Sequence, residues 1–317
     1  MPEWLREEGL GETRFALVEG GATLAARILP DDLLVAGTVV EARLVAVGPR
    51  AIARLGDGTE ILLTASPSGI SEGALFAAEI TRPAVPGPEP WKRALGRAKG
   101  EGRAVEPPPR ATDLPVPSTA LDRLAEAGWD DLLAEASSGR VAFPGGELLI
   151  ALTPAMTVID VDGWIDPAAL AKAGAAAAAR AILRLDIGGN IGIDLPSSTG
   201  KAARQAAAEA LDEGLSGETF ERTAVNGFGF LQLIRPRRRA SLLELAQDRA
   251  GFAARALLRR AASAGHGPAR LAGHPALIAW FERRSDLLRR LERQRGGAVT
   301  LRADPTLAIA GGHVEPA

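Results

Sequence analysis

MTVIDVDG, residues 156–163, and NIGID, residues 190–194, flank a long alanine-rich stretch. Each is a short apolar run with acidic residues at its end, a pattern typical of a buried strand. The intervening Pro167–Leu185 has the length and residue types of a helix. The right-handed crossover of such a β-α-β unit makes the strands parallel, so we expect Asp160 and Asp194 at one carboxyl edge of a sheet. Open α/β sheets bind ligands at that edge.

A third carboxylate belongs to the same pattern. Asp162 follows Asp160 by two positions, so both side chains should point to one face of the strand. With Asp194 they would form a cluster of a kind that suits Mg²⁺, with Mn²⁺ as the alternative. The competing interpretation is that these acids only cap the next helix or begin turns.

Composition limits the available chemistry. The chain is 46% hydrophobic and 24% charged, and its 317 residues are enough for roughly two domains or several small ones. No apolar run approaches the ~18 residues of a membrane span, and residues 1–27 lack a signal-peptide pattern, so we expect a cytoplasmic protein with no membrane partner. Cys is absent and the three His lack metal-site spacing, so no zinc is expected.

The net charge of −2 conceals an uneven distribution. Residues 1–150 carry 15 basic and 22 acidic side chains, whereas residues 235–302 carry 16 Arg and 5 acidic ones. A basic block of this kind is either a solvated helix face or a surface for phosphate contact.

The N-terminal third has the character of β-structure. Thr13–Ala26 alternates in polarity around Gly20 and Gly21, which predicts a hairpin. Short β-rich runs between Val35 and Arg82, separated by tight turns, predict either a small closed barrel of the OB-fold type or an open β-meander. Residues 83–117 hold 9 of the 22 prolines and predict a linker, with a basic strap for RNA as the alternative.

Further elements complete the prediction. A helix over Ser118–Glu135 should break near Gly128, and a hairpin should follow around Pro144–Gly146. The end of the chain predicts a small α+β module with Arg-rich outer helix faces. Its expected helices are Ser241–Gln247, Gly251–Ser263 and Pro275–Gln294, and its expected strands are Val299–Leu301 and Leu307–Ala310.

Other motifs fail on their spacing. Ser197–Lys201 (SSTGK) lacks the first Gly and the last Ser or Thr of a phosphate loop, and is better explained as the start of a helix. Gly188–Gly192 (GGNIG) lacks the GxGxxG order of a dinucleotide site. No GxSxG element is present, so a hydrolase triad is not predicted.

MTVIDVDG, then AILRLDIGGNIGIDL, then NGFGFLQLIRPR resemble the catalytic domain of the ribonuclease E/G family in order and spacing. The resemblance implies that Asp160 and Asp194 match two Mg²⁺ ligands and that Asp162 occupies the place of a supporting Asn. Arg235 and Arg237 match two family arginines and, with Arg238, would contact RNA phosphates.

The resemblance also implies an α+β multidomain fold. It places an RNase H-like part at 1–36 and 118–139, an OB-fold RNA-binding insertion at 37–82 and the Pro-rich linker at 83–117. A DNase I-like α/β catalytic domain would span 140–240 and a small basic α+β domain 241–317.

Departures from the family restrict what it implies. The linker stands where the family has a 5′-phosphate-sensing subdomain, and the Cys zinc link between protomers is missing, so any homo-oligomer would need other contacts. Aliphatic Ile52 and Leu62 stand near the usual base-stacking aromatics of the barrel, which predicts weaker affinity for single strands.

Three functions are consistent with the sequence. The first is a Mg²⁺-dependent endoribonuclease that acts on single-stranded RNA. The second is an RNA-binding protein of the same fold that has lost catalysis and acts in rRNA maturation. The third is a structural partner of RNA-processing proteins that docks through its Arg-rich helices.

Overall fold

The computed structural model describes residues 1–84, 92–99, 110–114, 122–197 and 200–316. Within these ranges the chain is mixed α/β, with one closed five-stranded barrel and three open sheets. The strands are β1 (Glu3–Glu8), β2 (Glu12–Glu19), β3 (Ala22–Pro30), β4 (Val39–Ala46), β5 (Ile52–Leu55), β6 (Glu60–Leu63), β7 (Leu75–Arg82), β8 (Leu95–Ala98), β9 (Thr112–Asp113), β10 (Arg140–Phe143), β11 (Gly146–Leu152), β12 (Thr157–Gly163), β13 (Gly189–Asp194), β14 (Glu221–Arg222), β15 (Phe230–Arg235), β16 (Ala269–Gly273), β17 (Val299–Ala303) and β18 (His313–Pro316). The helices are α1 (Arg123–Glu126), α2 (Trp129–Ser138), α3 (Pro167–Arg184), α4 (Lys201–Gly214), α5 (Leu242–Leu245), α6 (Arg249–Ser263), α7 (Pro275–Glu282) and α8 (Ser285–Arg295).

The first sheet has the order β3-β2-β1-β9. The predicted hairpin is confirmed as β2 and β3, joined at Gly20 and Gly21, which both adopt positive φ. Strand β1 was not predicted, and it pairs antiparallel with β2 along its whole length. The short strand β9 adds to β1 in parallel from within residues 83–117.

The barrel closes in the order β4-β5-β6-β8-β7 around a core that includes Leu44, Ile61 and Ile80. This confirms a closed five-stranded barrel, and the arrangement is compatible with an OB-fold. Its last strand corrects the linker prediction, because β8 lies inside residues 83–117 and pairs with both β6 and β7. The two most proline-rich stretches, residues 85–90 and 107–109, lie outside the described residues.

The central sheet has the order β10-β11-β12-β13-β15-β14. The predicted β-α-β unit is confirmed, since β12 and β13 are parallel neighbours joined through α3. Asp166 caps α3 by accepting hydrogen bonds from two backbone N–H groups. Gly174 brings α3 close to β12, because a Cβ there would stand 2.2 Å from a methyl carbon of Val161. The sheet is therefore tightly packed behind the two acidic strand ends.

Helices around the central sheet agree with the sequence in most respects. The predicted break near Gly128 separates α1 from α2, and Gly128 has φ +80°. Helix α4 begins at Lys201 with Gly200 before it. Ser198 and Thr199, in the stretch interpreted as a helix start, lie outside the described residues, as does the predicted helix start at Ser118.

The C-terminal module packs α6, α7 and α8 against a sheet of order β17-β16-β18. The long helix predicted over Pro275–Gln294 is interrupted, with α7 ending at Glu282 and α8 beginning at Ser285. The strand predicted at Leu307–Ala310 is wrong, because a 3-10 turn covers Ile309–Gly311 and the last strand is β18. Of the helices in the described parts of the chain, none is long and apolar enough to cross a membrane.

Candidate functional site

Asp160 and Asp194 lie side by side in the central sheet. They are Cα register partners across the parallel pair β12 and β13, as the β-α-β pattern predicted. Asp194 is the last residue of β13, and three residues of β12 follow Asp160. Directly opposite backbone positions place both side chains on the same face of the sheet.

That face is largely open to solvent. Buried residues such as Ile159 and Val161 alternate with Asp160 and Asp162 along β12, because successive side chains point to opposite faces. The buried set belongs to the core beneath α3. On the open face of neighbouring strands, Leu149 is 41% exposed and Ile234 is 53% exposed.

A fourth carboxylate lies on the open face. Glu147 of β11 is the register partner of Asp162, and it forms an ion pair with Arg140 at 2.5 Å. Glu147 gives no sequence signal as a site residue, because its place beside Asp162 depends on the antiparallel register of β11 and β12.

Negative charge accumulates around Asp160. Its pKa lies above the ordinary value, first because partial burial disfavours the charged form and then because Asp162 and Asp194 repel it. A bound cation would relieve that repulsion. The donors fit Mg²⁺, which commonly takes one or two carboxylates and completes its shell with water and substrate phosphate.

The predicted three-carboxylate cluster does not form. Among the described residues, no group of three or more His, Asp or Glu side chains is arranged to hold a metal ion. Asp160 and Asp194 are directly opposite each other in the register of β12 and β13, whereas Asp162 lies two residues further along β12. Any cation at this edge would therefore be held by the pair, with Asp162 outside its direct ligands.

Two exposed aromatic side chains flank the acids. Trp164, which directly follows β12, is 79% exposed, and Phe228 is 81% exposed. Phe228 lies in the turn before β15, two residues from Phe230, the register partner of Asp194. Strands β12 and β15 are two positions apart, about 10 Å across the sheet. The aromatic pair therefore lies at the same edge as Asp160 and Asp194.

The turn that presents Phe228 is tightly constructed. The Asn226 side chain accepts hydrogen bonds from the backbone N–H groups of Phe228 at 2.9 Å and Phe230 at 3.1 Å. Gly229 has φ +89°, and a Cβ there would stand 2.2 Å from the Leu195 carbonyl oxygen. Exposed aromatic rings on a fixed backbone can stack on nucleic-acid bases. The position of both rings at one edge of the sheet gives no local sequence signal.

The arginines predicted to contact RNA lie at the other end of β13. Arg235 opposes Gly189, and its guanidinium is engaged by Asp186 at 3.3 Å and Glu218 at 2.7 Å. Arg237 is buried against Glu244 at 2.9 Å. Arg235 and Arg237 are therefore each engaged by a carboxylate, and their contacts with RNA phosphates stay a prediction. Arg238 is half-buried and has its own partner.

The basic C-terminal helices also differ from the expected solvated or RNA-facing surface. Arg255, Arg259 and Arg295 are each no more than 8% exposed. Arg259 forms ion pairs with Glu7 of β1 and Asp122, and Arg255 pairs with Asp32. Part of the positive charge of residues 235–302 therefore joins the C-terminal module to the N-terminal sheet.

No family model matches this chain, and no curated protein sequence matches it.

Proposed function

We propose that this protein is a metal-dependent endoribonuclease that cleaves single-stranded RNA, with Asp160 and Asp194 as the metal ligands. The observation that carries the proposal is their register pairing on an open sheet face, flanked by Trp164 and Phe228. The resemblance to the ribonuclease E/G family supports the same residues. Under this proposal the closed barrel is an OB-fold RNA-binding insertion, and the first and central sheets are RNase H-like and DNase I-like.

Each group has a distinct task in this proposal. Asp160 and Asp194 hold Mg²⁺, or Mn²⁺ in its place. A cation held by these two carboxylates would supply Lewis-acid chemistry, polarising a phosphoryl oxygen and an attacking water. Asp162, on the same face, accepts a hydrogen bond from a water at the site and orients it. Trp164 and Phe228 stack on bases and fix the strand across the acids.

Cleavage of a fluorescent, A/U-rich single-stranded RNA tests the proposal. The purified protein should cut it with Mg²⁺ but not with EDTA, and Asp194→Asn should lose at least about a hundredfold in rate. Asp286→Asn, on an exposed position of α8, is the matched control and should keep full activity. Equal Mg²⁺-dependent cleavage by the Asp194→Asn variant would overturn the assignment of the site.

A second candidate is an RNA-binding protein without catalysis. It is favoured by the lack, among the described residues, of a three-carboxylate metal group. This candidate predicts RNA binding that is unchanged by EDTA and no cleavage under any metal condition. The same RNA, followed by fluorescence anisotropy and by gel, separates the two candidates.

A further inference from the structure

A small polar cavity lies at the far end of β13 from Asp194. Its volume is about 150 Å³. Arg235 lines the cavity and is the register partner of Gly189, the first residue of β13. Asp194 ends β13 five residues later, so the cavity and the acidic pair are about 17 Å apart along the strand. The charged side chains that line the cavity are Arg27, Arg235, Arg238, Arg239, Asp186 and Glu218.

Both carboxylates of the cavity are already engaged. Asp186 is buried and accepts hydrogen bonds from Arg239 and, at 3.3 Å, from Arg235. Glu218 accepts from Nε of Arg235 at 3.0 Å and from its Nη2 at 2.7 Å. Four guanidinium groups thus face two carboxylates, and the lining has a surplus of positive charge.

Arg27 carries much of that surplus. Within the described ranges, no carboxylate lies within ion-pair distance of it, and its guanidinium carbon stands 4.6 Å from the centre of the Trp4 ring. Burial, followed by repulsion from Arg239, lowers the pKa of Arg27 to about 10. A bound anion in the cavity would offset the repulsion between Arg27 and Arg239 and stabilise the charged form of Arg27.

The backbone at Asp186 is strained. Asp186 has φ +53° and directly follows the C-cap of α3. The N–H of Ile187 bonds to the carbonyl of Ile182, and the N–H of Asp186 bonds to that of Leu183. This is a Schellman ending, whose left-handed position is usually Gly. The chain instead keeps a carboxylate there, and that carboxylate aligns two cavity arginines.

We propose that this cavity binds a phosphate group, with Arg27 as the principal free donor and Arg239 and Arg235 held beside it by Asp186. The cavity is smaller than the ~300 Å³ of ordinary small-molecule sites, which suits an inorganic anion or one phosphate of a larger molecule. Planar guanidinium groups bind phosphate oxygens in a bidentate manner. The site is separate from the acidic pair, so it goes beyond the proposed nuclease function.

Titration calorimetry with inorganic phosphate, at ionic strength held constant with chloride, tests the proposal. The wild-type protein should bind phosphate, and Arg27→Gln should weaken that binding roughly tenfold, the usual effect of losing a charge-assisted hydrogen bond. Arg289→Gln, on an exposed position of α8, is the matched control and should bind as the wild type does.

A second variant, which should bind phosphate more tightly than the wild type, keeps the test decisive even if Arg27→Gln does not fold. Glu218 is exposed, and Glu218→Gln should free donors of Arg235 and tighten phosphate binding. The proposal is overturned if phosphate does not bind, or if Arg27→Gln and Glu218→Gln both bind it as the wild type does. Neither readout depends on RNA cleavage.

A second experiment distinguishes a free phosphate anion from a phosphate of an RNA backbone as the ligand of this cavity. A short single-stranded RNA with a 5′-hydroxyl carries only backbone phosphates. If the site takes RNA backbone, Arg27→Gln should weaken binding of this RNA and inorganic phosphate should compete with it. If the site takes a free anion, RNA binding should stay unchanged while phosphate binding is lost. Both results retain the phosphate site and differ only in its natural ligand.

Discussion

Arg259 of α6 and Glu7 of β1 form an ion pair in which both side chains are buried, with Nε and Oε1 3.0 Å apart. Glu7 also accepts a hydrogen bond from Arg14 at 2.6 Å. The pair crosses 252 positions of sequence and fixes the C-terminal module on the first sheet.

Arg259→Leu should lower the free energy of unfolding by about 3 kcal/mol, because it removes one of the two arginines that compensate the buried charge of Glu7 and also removes the partner of Asp122. Urea unfolding measures this change. Arg302→Leu removes a more exposed ion-pair partner of Glu315 and should lower the free energy of unfolding much less, because solvent screens that pair. Equal losses for the two variants would contradict a structural role of the Arg259–Glu7 pair.

The raised pKa of Asp160 predicts a pH-dependent stability. Because the folded chain holds this proton more readily than the unfolded chain, the free energy of unfolding should fall as pH rises from 3.8 through the raised pKa. Asp160→Asn removes the repulsion and should be more stable than the wild type at pH 7, by up to about 1 kcal/mol. The difference should shrink as the pH falls towards 3.8.

Urea unfolding between pH 4 and pH 8 without divalent cations checks this prediction. Asp194→Asn removes only one of the two repelling neighbours of Asp160, so it should shift stability in the same direction by less. A wild-type protein more stable than Asp160→Asn at pH 7 would contradict the proposed repulsion.

The exposed aromatic pair predicts a loss of affinity for single strands. Trp164→Ala and Phe228→Ala should each weaken binding of a single-stranded RNA by about 1–3 kcal/mol, because each removes a stacking surface. Fluorescence anisotropy measures the affinities. Leu24→Ala removes a 41% exposed aliphatic side chain from β3 and serves as the control. Unchanged affinity in both aromatic variants would exclude stacking at this edge.

The close approach of α3 to β12 depends on the missing side chain of Gly174. Alanine is the better helix former by about 1 kcal/mol, yet its Cβ would meet Val161 at 2.2 Å. Overpacking costs about 1–3 kcal/mol, so Gly174→Ala should be destabilising on balance. Adding Val161→Ala should then cost less than Val161→Ala does in the wild type, since it makes room for the new methyl group. Thermal unfolding of the two single variants and the double variant measures the coupling.

Local patterns accounted for most of the central unit and little of its surroundings. The strands β12 and β13 and the helix α3 each carry their own periodicity, so their pairing and the adjacency of Asp160 and Asp194 could be predicted. Strand β8 could not be, because Leu95–Ala98 is short, lies between proline-rich stretches and becomes a strand only by pairing with β6 and β7.

Periodicity and turn residues act over a few positions, so they were enough to predict the parallel β-α-β unit, the acids at its strand ends and a series of short strands before Arg82. What each charged side chain faces depends instead on how the elements pack. Arg235 and Arg259 have the same residue type as an RNA-contacting arginine, but they lie against Asp186 and Glu7. The packing of β12, β13 and β15 likewise placed Trp164 and Phe228 at one edge of the central sheet. Charge pairing and stacking depend on distances between elements far apart in the chain, and those distances exist only once the elements have packed.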